Sequence, residues 1–334
     1  MAESPTSSDE LDDSVQFIYE PVTSELEQVV DNLGTLARQA QLTGDPSLLE
    51  HAIVSGGKKV RPAITLLAGG FHPGHEDVLI TMATAVELLH IATLVHDDTI
   101  DNAKTRRGQA TVSNIWGDDV AVLLGDYVFA ASATYVCETG NLRVVRRFSE
   151  TIMELARGEL AERFSTHDWA QGVDEYNLRT YNKTASLFCT AAQSGGILSG
   201  GSEEETEALN QYGYNLGMAF QIMDDILDFM GTEEELGKPV GNDLMQGTLT
   251  LPVLLFAAQH PNEDVVKRLA AGGRDESDLK VMVDMVRNSP VMGETSAVLE
   301  GYRSRANEAI AKLPDARPRQ SLEALTEYVG HRRS

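Results

Sequence analysis

The segment Val78–Ile100 is apolar with isolated polar interruptions and contains neither Gly nor Pro, a pattern that predicts one long helix. Asp118–Cys137, Leu142–Phe164, Asp174–Leu198, Glu203–Phe229 and Leu251–Gln259 read the same way. Several of these segments are apolar nearly all round, which places them inside a bundle rather than on its surface. No run of β-branched residues alternates with polar ones between turn signals, so strands are not expected. The fold class that follows is all-α. Breaks fall at Ser55–Gly57, Gly69–Gly74, Arg107–Gly108, Gly140, Gly200–Gly201 and Gly231–Gly247. The last is the longest interruption inside the apparent core, and a loop of that size between strong helices is a candidate functional loop.

Composition sharpens the picture. With 334 residues, 42% of them hydrophobic, the chain can bury a large core without disulfides or a structural metal. No linker or internal repeat divides it, so residues 16–334 are expected to form one helical domain. Residues 1–15 are Ser- and acid-rich and read as a disordered tail rather than a signal peptide. The formal net charge of -24 argues against nucleic acid and against docking on anionic lipid. Cys137 and Cys189 are expected to be buried thiols, and no stretch is expected to reach the roughly 20 apolar residues of a membrane span. A cytoplasmic location follows as the expectation.

Charge placement then points to chemistry. Asp97, Asp98 and Asp101 close one apolar helix, and Asp224, Asp225 and Asp228 close another. Asp97 and Asp101, like Asp224 and Asp228, are spaced i, i+4 and share a helix face. Like charges so placed repel, and the C-terminal end of a helix is the wrong end for anions. One such triplet is as easily a solvated helix end, but two on apolar helices call for a counter-ion. Hard carboxylate oxygens without His or Cys select Mg²⁺, which bridges one or two carboxylates to substrate phosphates. In a chain poor in cations, Lys58, Lys59 and Arg61 fall together after Gly56–Gly57, and Arg106–Arg107 follow the first aspartate cluster. Arg and Lys of this kind suit phosphate oxygens. Gly237-Lys238-Pro239 through Asp243 could form a lid over them.

These motifs, in order, resemble the trans-isoprenyl diphosphate synthases, or polyprenyl synthetases: Gly56-Gly57-Lys58-x-x-Arg61-Pro62, Glu87-Leu-Leu-His90, Asp97–Asp101 with Arg106-Arg107-Gly108, Lys183-Thr184, Phe220-Gln221-x-x-Asp224-Asp225-x-x-Asp228, and Gly237-Lys238 to Asp243. The resemblance covers most of the chain. It implies about a dozen helices around a deep cavity, in a homodimer. It implies that Asp97, Asp101 and Asp224 bind magnesium, with Asp98, Asp225 and Asp228 supporting them. Arg106, Lys183 and Lys238 would hold the allylic diphosphate, Lys58, Arg61, His90 and Arg107 isopentenyl diphosphate, and Thr184 and Gln221 would line the reacting centre. One departure is Thr248, where the family often carries a second lysine.

The reaction so implied is head-to-tail condensation of an allylic diphosphate with isopentenyl diphosphate. Thr93 lies about 6 Å, one helical turn, below Asp97, with Ala92 beside it. In the family, a bulky aromatic at the Ala92 position blocks the growing tail, so these two small residues imply a medium- to long-chain product rather than a farnesyl or geranylgeranyl one. A terpene cyclase is the first rival, and it would not need Lys58, Arg61, His90 and Arg107. A non-catalytic synthase subunit is the second, and such subunits typically lose aspartates that are all present here.

Overall fold

The computed structural model describes residues 15–40, 45, 47–54, 57–231 and 240–331. All but the last residue of the tail 1–15 lies outside the described residues, as do Gly56 and the loop residues 232–239 that carry Lys238.

Helices dominate. They are α1 (Thr23–Gln39), α2 (Ser47–Val54), α3 (Val60–Gly69), α4 (Glu76–Ile100), α5 (Val112–Trp116), α6 (Asp118–Glu138), α7 (Leu142–Phe164), α8 (Val173–Thr180), α9 (Ser186–Leu198) and α10 (Glu203–Met230). After the loop come α11 (Asn242–Met245), α12 (Leu251–Gln259), α13 (Asp264–Ala270), α14 (Glu276–Arg287), α15 (Val291–Ile310) and α16 (Arg317–His331). The dozen implied by the resemblance is exceeded because short helices such as α5 and α11 fill connections where the hydrophobic period is too brief to read.

Of the all-round apolar helices, α4 and α9 are central, while α6 is only partly buried. Along α4 nearly every residue from Leu79 to Val95 is buried, and it packs against α6, α3 and α1. The start of α10 is fixed locally by a capping box: Glu205 N–H donates to Ser202 Oγ at 3.2 Å, and Ser202 N–H donates to Glu205 Oε2 at 2.7 Å. Two helical glycines set close approaches. A Cβ on Gly158 of α7 would lie 2.5 Å from the Lys183 nitrogen, and one on Gly217 of α10 would lie 2.5 Å from the Ala185 Cα. The segment between α8 and α9 is therefore clasped by backbone on both sides.

Four expectations are corrected. Asp174–Leu198 is not one regular helix, because Tyr181–Ala185 form a π-helical turn between α8 and α9. A two-residue ladder exists, Thr105–Arg106 with Gln109–Ala110, too short to leave a sequence signal. Cys137 is exposed, since it lies on the outward face of α6, while Cys189 is buried. And two helices, Glu76–Ile100 and Asp118–Glu138, are long and apolar enough to cross a membrane by length and composition. The first is mostly buried inside the bundle, which gives its hydrophobicity a structural use; the second is only one-third buried.

Candidate active site

The C-terminal ends of α4, α7 and α10 and the α8–π-turn segment surround a cavity of about 620 Å³. From α4 come Leu94, Asp97, Ile100 and Asp101; from α10, Gln221, Asp224 and Asp225. The π-turn supplies Lys183 and Thr184, and the chain after the loop supplies Asp243, Gln246, Thr248 and Thr250. Packing thus brings the two aspartate clusters, 123 or more residues apart in number, onto one cavity. π-turns are rare and concentrate at functional sites, where the extra residue re-aims side chains.

Burial acts on these carboxylates as expected. It pushes Asp97 up to about 7, helped by Glu159 and opposed by Lys183. Asp101 is raised too, first by burial. Burial also pushes Asp225 up to about 7, against the hydrogen bond from Tyr176. Crowded carboxylates displaced this way are stabilised by any cation that enters. Among the described residues no three His, Cys, Asp or Glu side chains converge as a ready-made metal cage. The all-oxygen donor set therefore fits a hard cation that takes its remaining ligands from water and phosphate, not one held by protein alone.

Not every aspartate of the clusters faces the cavity. Asp98 is buried and committed to Arg106, whose Nε lies 2.8 and 2.9 Å from its two oxygens and whose Nη2 lies 2.7 Å from Oδ1. It orients Arg106, which does line the cavity. Asp228 lines neither this cavity nor the next; its Oδ2 accepts from the Asp243 N–H at 3.2 Å and its carbonyl from the Gly241 N–H at 2.8 Å. It anchors the chain that follows the loop.

Lys183 is bracketed by two residues the sequence reading missed. Its Nζ pairs with Glu159 at 2.9 Å and with Glu162. Burial alone would lower this lysine, but Glu162 and Glu159 outweigh it and hold it above the usual range. Also missed is Arg179, buried, with its guanidinium spread over Gln171 at 2.7 Å, Ser165 at 3.2 Å and the Leu249 carbonyl at 2.7 Å. The signal was available in principle: Arg179 lies four residues before Lys183, and Glu159 and Glu162 follow Gly158 by one and four residues.

A second cavity, about 480 Å³, adjoins the first at Leu94, which lines both. Its walls carry Lys58, Lys59, Arg61, His90, Arg107, Phe220 and Tyr328. Lys59 pairs with the buried Glu87 at 2.9 Å. Arg61 stacks over Phe188, 4.7 Å from the ring centre, and its Nη1 lies 3.1 Å from His90 Nε2. A guanidinium only donates, so that imidazole nitrogen accepts and the ring is neutral. Burial and the neighbouring cations Arg61 and Arg107 lower His90 well below the usual histidine range, in agreement.

Arg106 and Arg107 are adjacent in sequence yet divided between the cavities. Arg107 and Gly108 have φ of 51° and 78°, the left-handed pair of a tight hairpin turn. The turn leaves Arg106 against Asp98 and sends Arg107 over Gly57, where a Cβ would sit 2.6 Å from its guanidinium. Ala92 is fully buried and Thr93 donates its hydroxyl to the His90 carbonyl at 2.8 Å; neither lines these two cavities.

Comparison with known proteins adds an independent line. A family model described as polyprenyl synthetase matches residues 46–286. Heptaprenyl diphosphate synthase component 2 of Bacillus subtilis is 36% identical over 312 residues, 93% of this chain and 87% of that protein. Nonaprenyl diphosphate synthase of Mycobacterium tuberculosis is 35% identical over 308 residues, 91% of this chain and 90% of that one. A crystal structure of a polyprenyl synthase from Caulobacter crescentus, complexed with calcium and isoprenyl diphosphate, superposes with a TM-score of 0.89 at 31% identity, covering both chains fully.

Proposed function

The chain belongs to the polyprenyl synthetase family and is a trans-prenyltransferase; from that premise we propose that it condenses an allylic diphosphate with isopentenyl diphosphate into a medium- to long-chain polyprenyl diphosphate. The observation that carries this reading is the pair of adjoining cavities. One is lined by carboxylates and cations together, the other by cations with aromatic support and few acids. A metal-dependent diphosphate leaving group suits the first, and a diphosphate bound without metal suits the second.

In this reading Asp97, Asp101 and Asp224 would hold magnesium, which would supply positive charge to the leaving diphosphate. Arg106, fixed by Asp98, and Lys183, fixed by Glu159 and Glu162, hold the allylic diphosphate, with Lys238 assigned the same task by resemblance. Lys58, Arg61, Arg107 and neutral His90 hold isopentenyl diphosphate. The allylic C–O bond ionises, the double bond of isopentenyl diphosphate attacks the allylic carbon, and a proton is lost, with departing diphosphate as the proposed acceptor. Thr184 and Gln221 face the reacting centre, and Leu94 lies where the two substrates meet. The names of the heptaprenyl and nonaprenyl relatives support a long product, as do the small residues Ala92 and Thr93.

We take residues 16–334 as one working unit, and a homodimer as its assembly. The outward face of α6, where Val122 and Leu123 are exposed, supports a pairing of two copies. A cytoplasmic location is proposed on the reading that α4 and α6 are bundle helices. The test of the whole is incubation of the purified chain with magnesium, isopentenyl diphosphate and each allylic primer in turn, with products sized by mass spectrometry. Long products that need isopentenyl diphosphate support the reading; a product from the allylic diphosphate alone favours a cyclase, and only farnesyl-length product removes the chain-length assignment.

A further inference from the structure

One buried hydroxyl in the first cavity has no part in the reaction as described. Tyr176 of α8 is almost completely buried, and its hydroxyl donates to Asp225 Oδ2 at 2.6 Å. The other oxygen of the same carboxylate, Oδ1, accepts from Gln221 Nε2 at 3.2 Å. Gln221 Oε1 in turn accepts from the Thr184 hydroxyl at 2.8 Å. Tyr176, Asp225, Gln221 and Thr184 therefore form one unbroken hydrogen-bonded chain from three segments, and all four line the cavity.

The chain has a direction that chemistry dictates. With Tyr176 donating to Oδ2 and the Gln221 nitrogen donating to Oδ1, both oxygens of Asp225 accept and the Gln221 amide turns its oxygen to Thr184. Thr184 has one hydroxyl proton, and Gln221 takes it. Thr184 is then left with only lone pairs to present to the cavity. Reversing the amide would put the threonine proton there instead. Lone pairs stabilise positive charge developing on a nearby allylic carbon, and a hydroxyl proton opposes it.

We propose that Tyr176 is a positioning residue for prenyl transfer, holding the Asp225 carboxylate so that Gln221 and Thr184 keep the polarity that favours a developing allylic cation. Tyr176 acts through Asp225 and touches neither substrate. Its hydroxyl occupies one carboxylate oxygen and leaves the other for Gln221, so the amide has a single favourable setting. This rests on the prenyl-transfer reading of the cavity and deepens it.

Tyr176→Phe removes the hydroxyl and keeps the ring. A dipole that acts on charge present only in the transition state changes the rate constant and not substrate binding. The single-turnover rate of the first condensation is expected to fall about tenfold, with KM for both diphosphates within about twofold of wild type. In a Thr184→Val background, where no hydroxyl remains to be oriented, the same substitution is expected to change the rate less than about twofold. An unchanged rate in Tyr176→Phe, a matching rise in KM, or the same loss in both backgrounds overturns the proposal. If Tyr176→Phe does not fold, Tyr176→Met, which also lacks the hydroxyl, serves instead and must show the same dependence on Thr184. A wild-type chain that makes no elongated product removes the prenyl-transfer reading and this role together, whereas an active wild type with an unaffected variant removes this role alone.

Discussion

Arg106 and Asp98 form a pair in which Nε is shared between both carboxylate oxygens at 2.8 and 2.9 Å, with Nη2 at 2.7 Å from Oδ1. The hairpin turn at Arg107–Gly108 brings them together, and Asp98 is the buried partner. Asp98→Asn keeps the shape and removes the charge. Because Arg106 is about one-third exposed and screened, the expected stability loss is modest, about 1–2 kcal/mol. The loss in kcat/KM for the allylic diphosphate should be larger, about tenfold or more, because an unanchored guanidinium no longer meets the substrate in place. Urea denaturation and steady-state kinetics on the variant check both figures.

Lys183 shares its charge with Glu159 and Glu162, and on the proposed reading an incoming diphosphate would compete with them. Glu162→Gln removes one competitor and one negative charge from the cavity. Pyrophosphate with magnesium is expected to bind several-fold more tightly to this variant, by isothermal titration calorimetry, and more weakly to Lys183→Ala.

His90 is buried as the neutral ring, with its pKa lowered from the ordinary value by burial and by Arg61 and Arg107. The unfolded chain takes up the proton near pH 6.5, before the folded one does. Stability associated with His90 is therefore complete above about pH 6.5 and is lost as pH falls below it toward the lowered value. His90→Gln retains an acceptor for Arg61 without a titrating group. Thermal melts of wild type should lose more between pH 7.5 and pH 5.5 than melts of the variant; parallel loss in both would remove His90 as the cause.

Gly158 leaves no room for a side chain against the π-turn, since a Cβ would approach the Lys183 nitrogen to 2.5 Å. Gly158→Ala must push α7 and the π-turn apart. A cost of about 1–3 kcal/mol is expected, together with a drop in activity from misplaced Lys183 and Thr184. Calorimetry and product formation on the same preparation test it.

Ala92 is fully buried and small. Ala92→Phe is expected to lower the melting temperature through overpacking and to shorten the product. A product of wild-type length from folded Ala92→Phe would show that the tail does not pass this residue.

Much of the fold was legible because it is local. The period of apolar residues over Val78–Ile100 already requires a helix, and the i, i+4 aspartates already require a shared charged face. The basic residues at Lys58, Arg61 and Arg106–Arg107 stood out by contrast with an acidic chain. Helices α13 to α16 were less legible, because they mix polar and apolar residues and draw their burial from neighbours distant in sequence.

What the sequence determined alone is the set of helices with one hydrophobic side too many for the surface, and the two acidic helix ends; both follow from backbone geometry within a few residues. Only the tertiary structure decided how the charges are shared. Asp98 is spent on Arg106 and Asp228 on the chain after the loop, while Glu159 and Glu162 take Lys183 and Tyr176 takes Asp225. Arg106 and Arg107 part company because a left-handed turn lies at Arg107. These assignments depend on which backbone can approach which, through Gly57, Gly158 and Gly217 and the π-turn at Tyr181–Ala185. Apart from Asp98–Arg106 and Asp228–Asp243, 8 and 15 residues apart, such contacts join segments 20 to 70 residues apart and leave no periodic trace in the sequence.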